Sequence, residues 1–118
     1  MSFFSRFQPT APANTFDLAP ADFRERRTAD DPVLDVRTPA EFSDSHVVGA
    51  RNVDIMAPDF RQQIEALDLD PSQPVYLYCR SGNRSGKAAA MLRQMGFDDA
   101  HNIGGLHGLA EAGVETER

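Results

Sequence analysis

The single cysteine of this 118-residue chain, Cys79, is the side chain best suited to chemistry. It follows the apolar run 75–78 and opens a basic loop with a glycine at its centre, Cys79-Arg80-Ser81-Gly82-Asn83-Arg84-Ser85. A cysteine between a strand and a helix lies near unpaired backbone N–H groups and the positive end of the helix dipole, and both favour negative charge. A free cysteine has a pKa of about 8.5, and such surroundings lower it by one to several units. We therefore predict a nucleophilic thiolate at Cys79.

The charge distribution indicates that small anions, and not nucleic acids, are the ligands of this region. The formal net charge is -6, whereas a protein that binds phosphate backbones needs a basic face. Around Cys79 the pattern reverses, because Arg80, Arg84 and Lys87 lie within nine residues that contain no acidic side chain. The sequence therefore predicts a small electropositive spot on an acidic protein, with no nucleic-acid partner.

Cysteine usage and hydropathy favour the cytoplasm. One cysteine cannot form an internal disulfide, the N-terminus lacks the apolar core of a signal peptide, and no apolar run approaches membrane-spanning length. The three histidines, His46, His101 and His107, do not follow a recognised metal-ligand spacing. We expect a cytoplasmic protein with no membrane partner, no metal and no cofactor, in which His107 could reach the rim of the pocket.

The elements that must position Cys79 alternate between strand-like and helix-like runs. The predicted strands are 15–18, 33–36, 50–53, 75–78 and 100–103, and the predicted helices are 20–27, 39–44, 58–67, 84–95 and 105–112. Such alternation predicts an α/β fold with a parallel sheet of about five strands and helices on both faces. We assign residues 15–118 to one domain and residues 1–14 to an N-terminal arm that is flexible or anchored by its three aromatics, Phe3, Phe4 and Phe7.

The carboxyl ends of parallel strands are where ligands bind in such sheets. Cys79 lies at one predicted strand end, and Arg37 lies at another, one residue past the run 33–36. Arg37 and Glu41 are four residues apart at a predicted helix start, a spacing that favours an ion pair. We expect Asp35, Arg37 and Glu41 to have a structural role, with no direct part in chemistry, and the family resemblance described next implies that they support the Cys79 loop.

Four sequence blocks, in order along residues 15–113, resemble the rhodanese family of single-domain sulfurtransferases. They are Val33-Leu34-Asp35-Val36-Arg37 with Glu41-Phe42, then His46-Val47-Val48-Gly49-Ala50-Arg51-Asn52-Val53, then the Cys79 loop, and last Asn102-Ile103-Gly104-Gly105-Leu106. The resemblance implies a rhodanese-like domain of the α/β type. It also implies an enzyme of the thiosulfate sulfurtransferase type, in which Cys79 carries a sulfane sulfur as a persulfide.

The same resemblance implies roles for the loop. The Cys79 thiolate would take sulfur from an anionic donor such as thiosulfate and pass it to cyanide, a thiol or a protein acceptor. Inward N–H groups of the loop would stabilise the charged persulfide, and the Arg80 and Arg84 side chains would hold the sulfonate of the donor. The implied substrate-binding residues are Arg80, Ser81, Gly82, Asn83, Arg84 and Ser85.

Other functions remain open from the sequence. A phosphatase or arsenate reductase also uses a thiolate in an anion-binding loop, but its signature has five residues between cysteine and arginine, and here there are four between Cys79 and Arg84. A persulfide relay between proteins, or a non-catalytic binding module with the same fold, also fits the sequence. The physiological donor, the acceptor and the oligomeric state are not encoded in any motif of the chain.

Overall fold

The computed structural model describes residues 16–118, so the predicted arm, with Phe3, Phe4 and Phe7, lies outside the described residues. Within that range the strands are β1 Val33–Asp35, β2 His46–Val47, β3 Arg51–Asn52, β4 Val75–Cys79, β5 Ala100–Gly105 and β6 Thr116–Glu117. The helices are α1 Pro20–Arg26, α2 Pro39–Asp44, α3 Phe60–Ala66, α4 Asn83–Gln94 and α5 Leu106–Glu111.

The centre of the fold is a four-stranded parallel sheet with the order β3-β1-β4-β5. Leu34 of β1 lies opposite Leu77 of β4, which lies opposite Asn102 of β5. Strands β2 and β6 form a separate antiparallel pair. The predicted α/β fold with a central parallel sheet is confirmed, with four strands where about five were expected.

Residue 15 of the predicted first strand, 15–18, lies outside the described residues, and residues 16–18 form a single bridge, between Asp17 and Asn102 at the β5 edge. The Leu18 N–H donates to the Asn102 carbonyl, and the Asn102 N–H donates to the Phe16 carbonyl. The strand ends there because Pro20 begins α1 two residues later and has no N–H to extend a ladder.

Strand β4 is buried on both faces, and its alternation divides the core in two. Val75, Leu77 and Cys79 face α3 and α4, in a cluster that includes Leu34, Val36, Val53, Phe60, Ile64, Ala88, Ala89 and Leu92. Tyr76 and Tyr78 face the other way, in a cluster with Phe23, Val33, Val47, Ile103, Leu109 and Val114. Helices therefore cover both faces of the sheet, as predicted, and the cysteine points toward α4.

Local sequence signals account for the positions of the helices that flank the site. Helix α2 starts at a capping box: the Thr38 side chain accepts from the Glu41 N–H, and the Glu41 carboxylate accepts from the Thr38 N–H. Helix α4 follows Gly82, whose φ of 97° lies in the left-handed region that glycine adopts without strain. Among residues 16–118, no helix has the length and apolar character needed to cross a bilayer.

Candidate functional site

The site is built where β4 ends and α4 begins. Cys79 is the last residue of the strand, the chain turns at Gly82, and α4 starts at Asn83. The N-cap residue of α4 is Gly82, which has no side chain to accept hydrogen bonds from the first N–H groups of the helix. An anionic group held in this loop therefore meets backbone donors and the positive end of a twelve-residue helix.

The sulfur of Cys79 is fully buried, at 0% exposure, yet it lies among hydrogen-bond donors. The Gly82 N–H lies 3.0 Å from Sγ, and the Ser85 hydroxyl oxygen lies 3.3 Å from it. Burial raises the pKa of the Cys79 thiol, but hydrogen bonds from the Ser85 hydroxyl and from the N–H groups of Ser85, Ser81 and Gly82 outweigh burial, so the pKa is lowered overall. An inert core cysteine has no such donors, so the arrangement favours a thiolate.

Arg84, in the first turn of α4, forms a two-pronged ion pair with Glu41 of α2. The two guanidinium nitrogens lie 2.8 and 3.0 Å from the two carboxylate oxygens. The hydrogen bond from Arg84 is the largest of the effects that lower the pKa of Glu41 to about 2, and Glu41 in turn raises the pKa of Arg84. The prediction that Arg37 pairs with Glu41 is therefore wrong, because Glu41 pairs with Arg84, which lies 43 residues further along the chain.

Asp35 and Arg37 form a buried cluster at the end of β1. The Arg37 guanidinium donates to both oxygens of Asp35, at 2.9 and 2.6 Å, and to the Ser45 carbonyl at 2.6 Å. The Arg37 N–H also donates to Asp35, at 2.9 Å. Burial alone would lower the pKa of Arg37, but the hydrogen bond and the charge of Asp35 raise it overall. The Asn52 amide donates to the carbonyls of Asp35 and Arg37, which ties β3 to this cluster.

The remaining predicted site residues surround the mouth of the loop. Arg80, Ser81 and Asn83 are exposed or partly exposed, and Arg80 lines a cavity of about 590 Å³ next to the loop. The other lining residues are Arg37, Glu41, Asp44, Ser45, Leu106, His107, Ala110 and Thr116. Every sequence-predicted site residue thus lies at the carboxyl edge of β1 and β4 or on the helices that follow them. Their roles as substrate contacts stay predictions.

Two features of β5 were not foreseen from the sequence, although their residues lie within one of the four family-like blocks. The Asn102 amide donates to the Gly82 carbonyl at 3.0 Å, and its oxygen lies 2.7 Å from the Ser85 hydroxyl oxygen. Gly105 lies beneath the loop, where an added Cβ would be 2.2 Å from the Arg80 carbonyl oxygen. The available signal was an asparagine and two glycines at the end of a strand that neighbours the cysteine strand.

Two of the three histidines, His46 and His101, make hydrogen bonds away from the Cys79 loop. His46 Nδ1 lies 2.8 Å from the Phe42 carbonyl, and His101 Nε2 lies 2.5 Å from an Asp99 carboxylate oxygen. His107 lines the cavity beside Arg80, and its side chain is 86% exposed. In the part of the chain that the structure describes, no three His, Cys, Asp or Glu side chains are grouped to hold a metal ion.

Comparisons with known proteins give one consistent family. A family model described as rhodanese-like domain matches residues 19–112. Thiosulfate sulfurtransferase GlpE of Pseudomonas aeruginosa is 37% identical over 95 residues, which cover 79% of this chain and 82% of that protein. Thiosulfate sulfurtransferase PspE of Escherichia coli is 34% identical over 77 residues, or 65% of this chain and 72% of that protein.

Solved structures share the fold as well. The crystal structure of a rhodanese-related protein from Thermoplasma volcanium aligns with a TM-score of 0.72 and 26% identity, over 86% of this chain and 96% of that one. Across the first three curated relatives, the matched part of the chain spans 55%, 72% and 82% of the relative's own length.

Proposed function

Because this chain belongs to the rhodanese-like domain family, we propose that it is a sulfurtransferase that carries a sulfane sulfur on Cys79. The single observation that carries the proposal is the pair of donors on Sγ, the Gly82 N–H at 3.0 Å and the Ser85 hydroxyl at 3.3 Å. A sulfur that becomes negatively charged is stabilised by such donors. The relatives named thiosulfate sulfurtransferase supply the substrate class for this proposal.

The first half-reaction loads the cysteine. The Cys79 thiolate attacks the outer sulfur of thiosulfate, an S–S bond forms, and the bond to the sulfonate sulfur breaks. Sulfite leaves with the bonding electron pair, and the enzyme holds a persulfide whose terminal sulfur is negatively charged. The loop N–H groups stabilise that charge in the same manner in which an oxyanion hole stabilises oxygen.

The second half-reaction unloads the cysteine. A thiophilic acceptor, such as cyanide or a thiol, attacks the terminal sulfur and breaks the S–S bond. The electron pair returns to Sγ, and the thiolate is regenerated for another cycle. Both steps exchange one nucleophile on sulfur for another, so neither requires a cofactor or a dedicated general base.

The two loop arginines differ in what they offer to the donor. Arg84 is already held by both oxygens of Glu41, so it contributes a partly compensated charge. Arg80 is exposed and lines the 590 Å³ cavity, where it is positioned to meet a sulfonate that enters from solvent. Because Cys79 is 0% exposed, we expect the loop to move when the outer sulfur of the donor reaches Sγ.

A phosphatase or arsenate reductase is disfavoured by the loop residues. Such enzymes bind a tetrahedral oxyanion with a loop arginine that follows the cysteine after five intervening residues; that position is Ser85 here, and the neighbouring Arg84 is paired with Glu41. A persulfide relay and a non-catalytic binding module differ from the proposed enzyme only in which half-reaction occurs. One experiment therefore separates these three functions.

The test is intact-mass spectrometry of the reduced full-length protein after brief exposure to thiosulfate, followed by cyanide with detection of thiocyanate. We expect the wild type to gain the mass of one sulfur and to lose it to cyanide. Cys79→Ser should gain none while it keeps the wild-type circular dichroism spectrum, because the change replaces one atom. Sulfur that loads but resists cyanide would indicate a relay to a protein acceptor, and failure to load would indicate a binding module.

A further inference from the structure

One side chain outside the Cys79 loop contacts both groups that donate to the sulfur. Asn102, on β5, donates from Nδ2 to the Gly82 carbonyl at 3.0 Å, and its Oδ1 lies 2.7 Å from the Ser85 hydroxyl oxygen. Oδ1 also accepts from the Gly104 N–H at 3.0 Å. These partners fix which amide atom is oxygen, because a backbone carbonyl only accepts and a backbone N–H only donates.

Gly82 depends on such support more than other loop residues. Its φ of 97° suits glycine, but the absence of a side chain leaves the residue free to adopt many other conformations. Two hydrogen bonds hold its carbonyl, one from the Gly86 N–H within α4 and one from Asn102, which fixes it to β5. The N–H of Gly82 belongs to the preceding peptide unit and donates to Cys79 Sγ at 3.0 Å, so fixing the carbonyl restricts the backbone rotations of Gly82 that would turn this N–H away from the sulfur.

We propose that Asn102 is the positioning residue of the donor cradle around Sγ, which it holds by binding Gly82 and Ser85 at once. The assignment deepens the function proposed above, because the cradle is what receives negative charge on sulfur. Nothing in the sulfur chemistry touches Asn102, so it acts only through these two neighbours.

The contact with Ser85 gives the cradle two hydrogen-bonding states. A hydroxyl carries one hydrogen, whereas Ser85 has two acceptors in reach, Cys79 Sγ at 3.3 Å and Asn102 Oδ1 at 2.7 Å. When the sulfur is protonated, the thiol donates to Ser85 and the hydroxyl donates to Asn102. When the sulfur is a thiolate, the hydroxyl turns to it, and Asn102 keeps only its bonds to Gly82 and Gly104.

Substitution of Asn102 by alanine leaves the charged groups near the sulfur in place. Arg84 of α4 interacts with Cys79 and pairs with Glu41 of α2, and the carboxylate of Asp54, between β3 and α3, also acts on Arg84. Arg80 shares its cavity with His107 of α5. A change in the titration of Cys79 in the alanine variant therefore reports the hydrogen bonds of the cradle.

The test measures the rate of Cys79 alkylation by iodoacetamide against pH in Asn102→Ala and in the control Asn52→Ala. The chain has one cysteine, so alkylation reports Cys79 alone and requires no sulfur transfer. Asn52 is a matched control because it is also a strand asparagine whose amide donates to backbone carbonyls, here those of Asp35 and Arg37 at the end of β1, and these hydrogen bonds do not involve the Cys79 loop. We expect Asn102→Ala to raise the thiol pKa by about one unit, because the Gly82 N–H is no longer held on the thiolate and the loss of that bond outweighs the release of the Ser85 hydroxyl from Asn102. Asn52→Ala should leave the thiol pKa unchanged.

A second variant, Asn102→Leu, separates positioning from packing. Leucine has nearly the size of asparagine, but it cannot donate to Gly82 or accept from Ser85, and it adds no charge that would itself raise the thiol pKa. We therefore expect the thiol pKa of Asn102→Leu to be raised as it is in Asn102→Ala, whereas a purely packing role would leave it at the wild-type value in the leucine variant.

Each result bears on the proposal. A wild-type thiol pKa in either folded Asn102 variant would overturn it. If Asn102→Ala does not fold by circular dichroism, the leucine variant decides alone. Failure of thiosulfate to load the wild type would refute the proposed enzyme and leave the alkylation result standing.

Discussion

Two neighbouring strands of the sheet, β1 and β4, end at the same edge with opposite outcomes. At the end of β1 the Asp35 carboxylate meets the Arg37 guanidinium and N–H, and the guanidinium also binds the Ser45 carbonyl, so the charges are matched and enclosed. At the end of β4 the Cys79 sulfur meets only uncharged donors, from Gly82 and Ser85.

The difference shows how burial can serve either rigidity or reactivity. Asp35 and Cys79 are both 0% exposed. A buried carboxylate that is fully paired is a fixed structural element, and its loss leaves an uncompensated charge. A buried sulfur surrounded by donors is stabilised when it becomes charged, so it is ready for a change of state. The hydrogen-bond donors that surround the sulfur and can stabilise a negative charge therefore identify the site better than side-chain exposure or the number of charged groups does.

The largest expected effect concerns the buried Asp35–Arg37 cluster at the end of β1. In Asp35→Asn, Arg37 at 5% exposure loses its counterion, and breaking a buried pair in this way costs about 3–5 kcal/mol of the free energy of unfolding. Urea unfolding followed by circular dichroism measures the cost. The control is Asp98→Asn, an exposed position where we expect a change within about 0.5 kcal/mol. A cost below about 1 kcal/mol for Asp35→Asn would mean that the Asp35–Arg37 cluster does not hold the end of β1 more rigidly than the Cys79 loop is held.

The second prediction concerns the Cys79 loop at the end of β4 and leaves the cysteine itself unchanged. In Gly105→Ala the new Cβ would lie 2.2 Å from the Arg80 carbonyl oxygen, so the loop must shift. A displacement of about 1 Å at a reacting group lowers activity by roughly 100-fold, and we expect that loss in thiosulfate-to-cyanide turnover.

The control for this change is Gly108→Ala in α5, where the nearest atom to a new Cβ is Pro20 Cγ at 3.7 Å. That variant should keep full turnover and gain up to about 1 kcal/mol of stability, because alanine favours a helix. Turnover of Gly105→Ala within twofold of the wild type would show that the β4 loop tolerates displacement.

Much of this arrangement could be predicted because its signals are local. The apolar run before Cys79 predicted β4, Gly82 and the basic residues predicted a loop, and Pro39 marked the start of α2. These features depend on residues within one or two turns of each other. The position of the cysteine at the carboxyl edge followed from the alternation of strands and helices alone.

The pairing of Glu41 could not be predicted from spacing. The i,i+4 rule favoured Arg37, but Asp35 binds Arg37 from two residues away. The capping box directs Glu41 back toward Thr38, at 3.1 Å, where Arg84 reaches it from another helix. Both competing contacts depend on how β1 and β4 are aligned, which the sequence does not state.

The role of Asn102 was hidden for a similar reason. It lies opposite Leu77 in the β4–β5 register, and an irregularity follows, because Cys79 then pairs with Gly105. Only this register brings the asparagine under Gly82. The short β2–β6 pair was also missed, because two residues per strand are too few to show a period.

The third prediction concerns the ion pair that joins the two strand ends. Arg84, on the helix after β4, holds Glu41, on the helix after β1, and the pKa of Glu41 falls to about 2 from an ordinary 4.5. A carboxylate with a lowered folded-state pKa stabilises the protein above its unfolded pKa, so this contribution is full above pH 4.5 and is lost as the pH falls toward 2. In Glu41→Gln we expect a loss of about 1–2 kcal/mol at pH 7, because both side chains are partly exposed and solvent screens them.

Urea unfolding of wild type and Glu41→Gln at pH 7, 4 and 2.5 tests the sign as well as the size. The gap between the two proteins should be widest at pH 7 and should narrow as the wild-type carboxylate is protonated, while Glu65→Gln, an exposed change on α3, should show little gap at any pH. A gap that stays constant down to pH 2.5 would mean that the Glu41 charge, and therefore its ion pair with Arg84, contributes little to stability, because glutamine keeps an oxygen that can accept the bonds from Thr38. The two strand ends would then be independent, and the reactive loop would be held mainly from the β5 side.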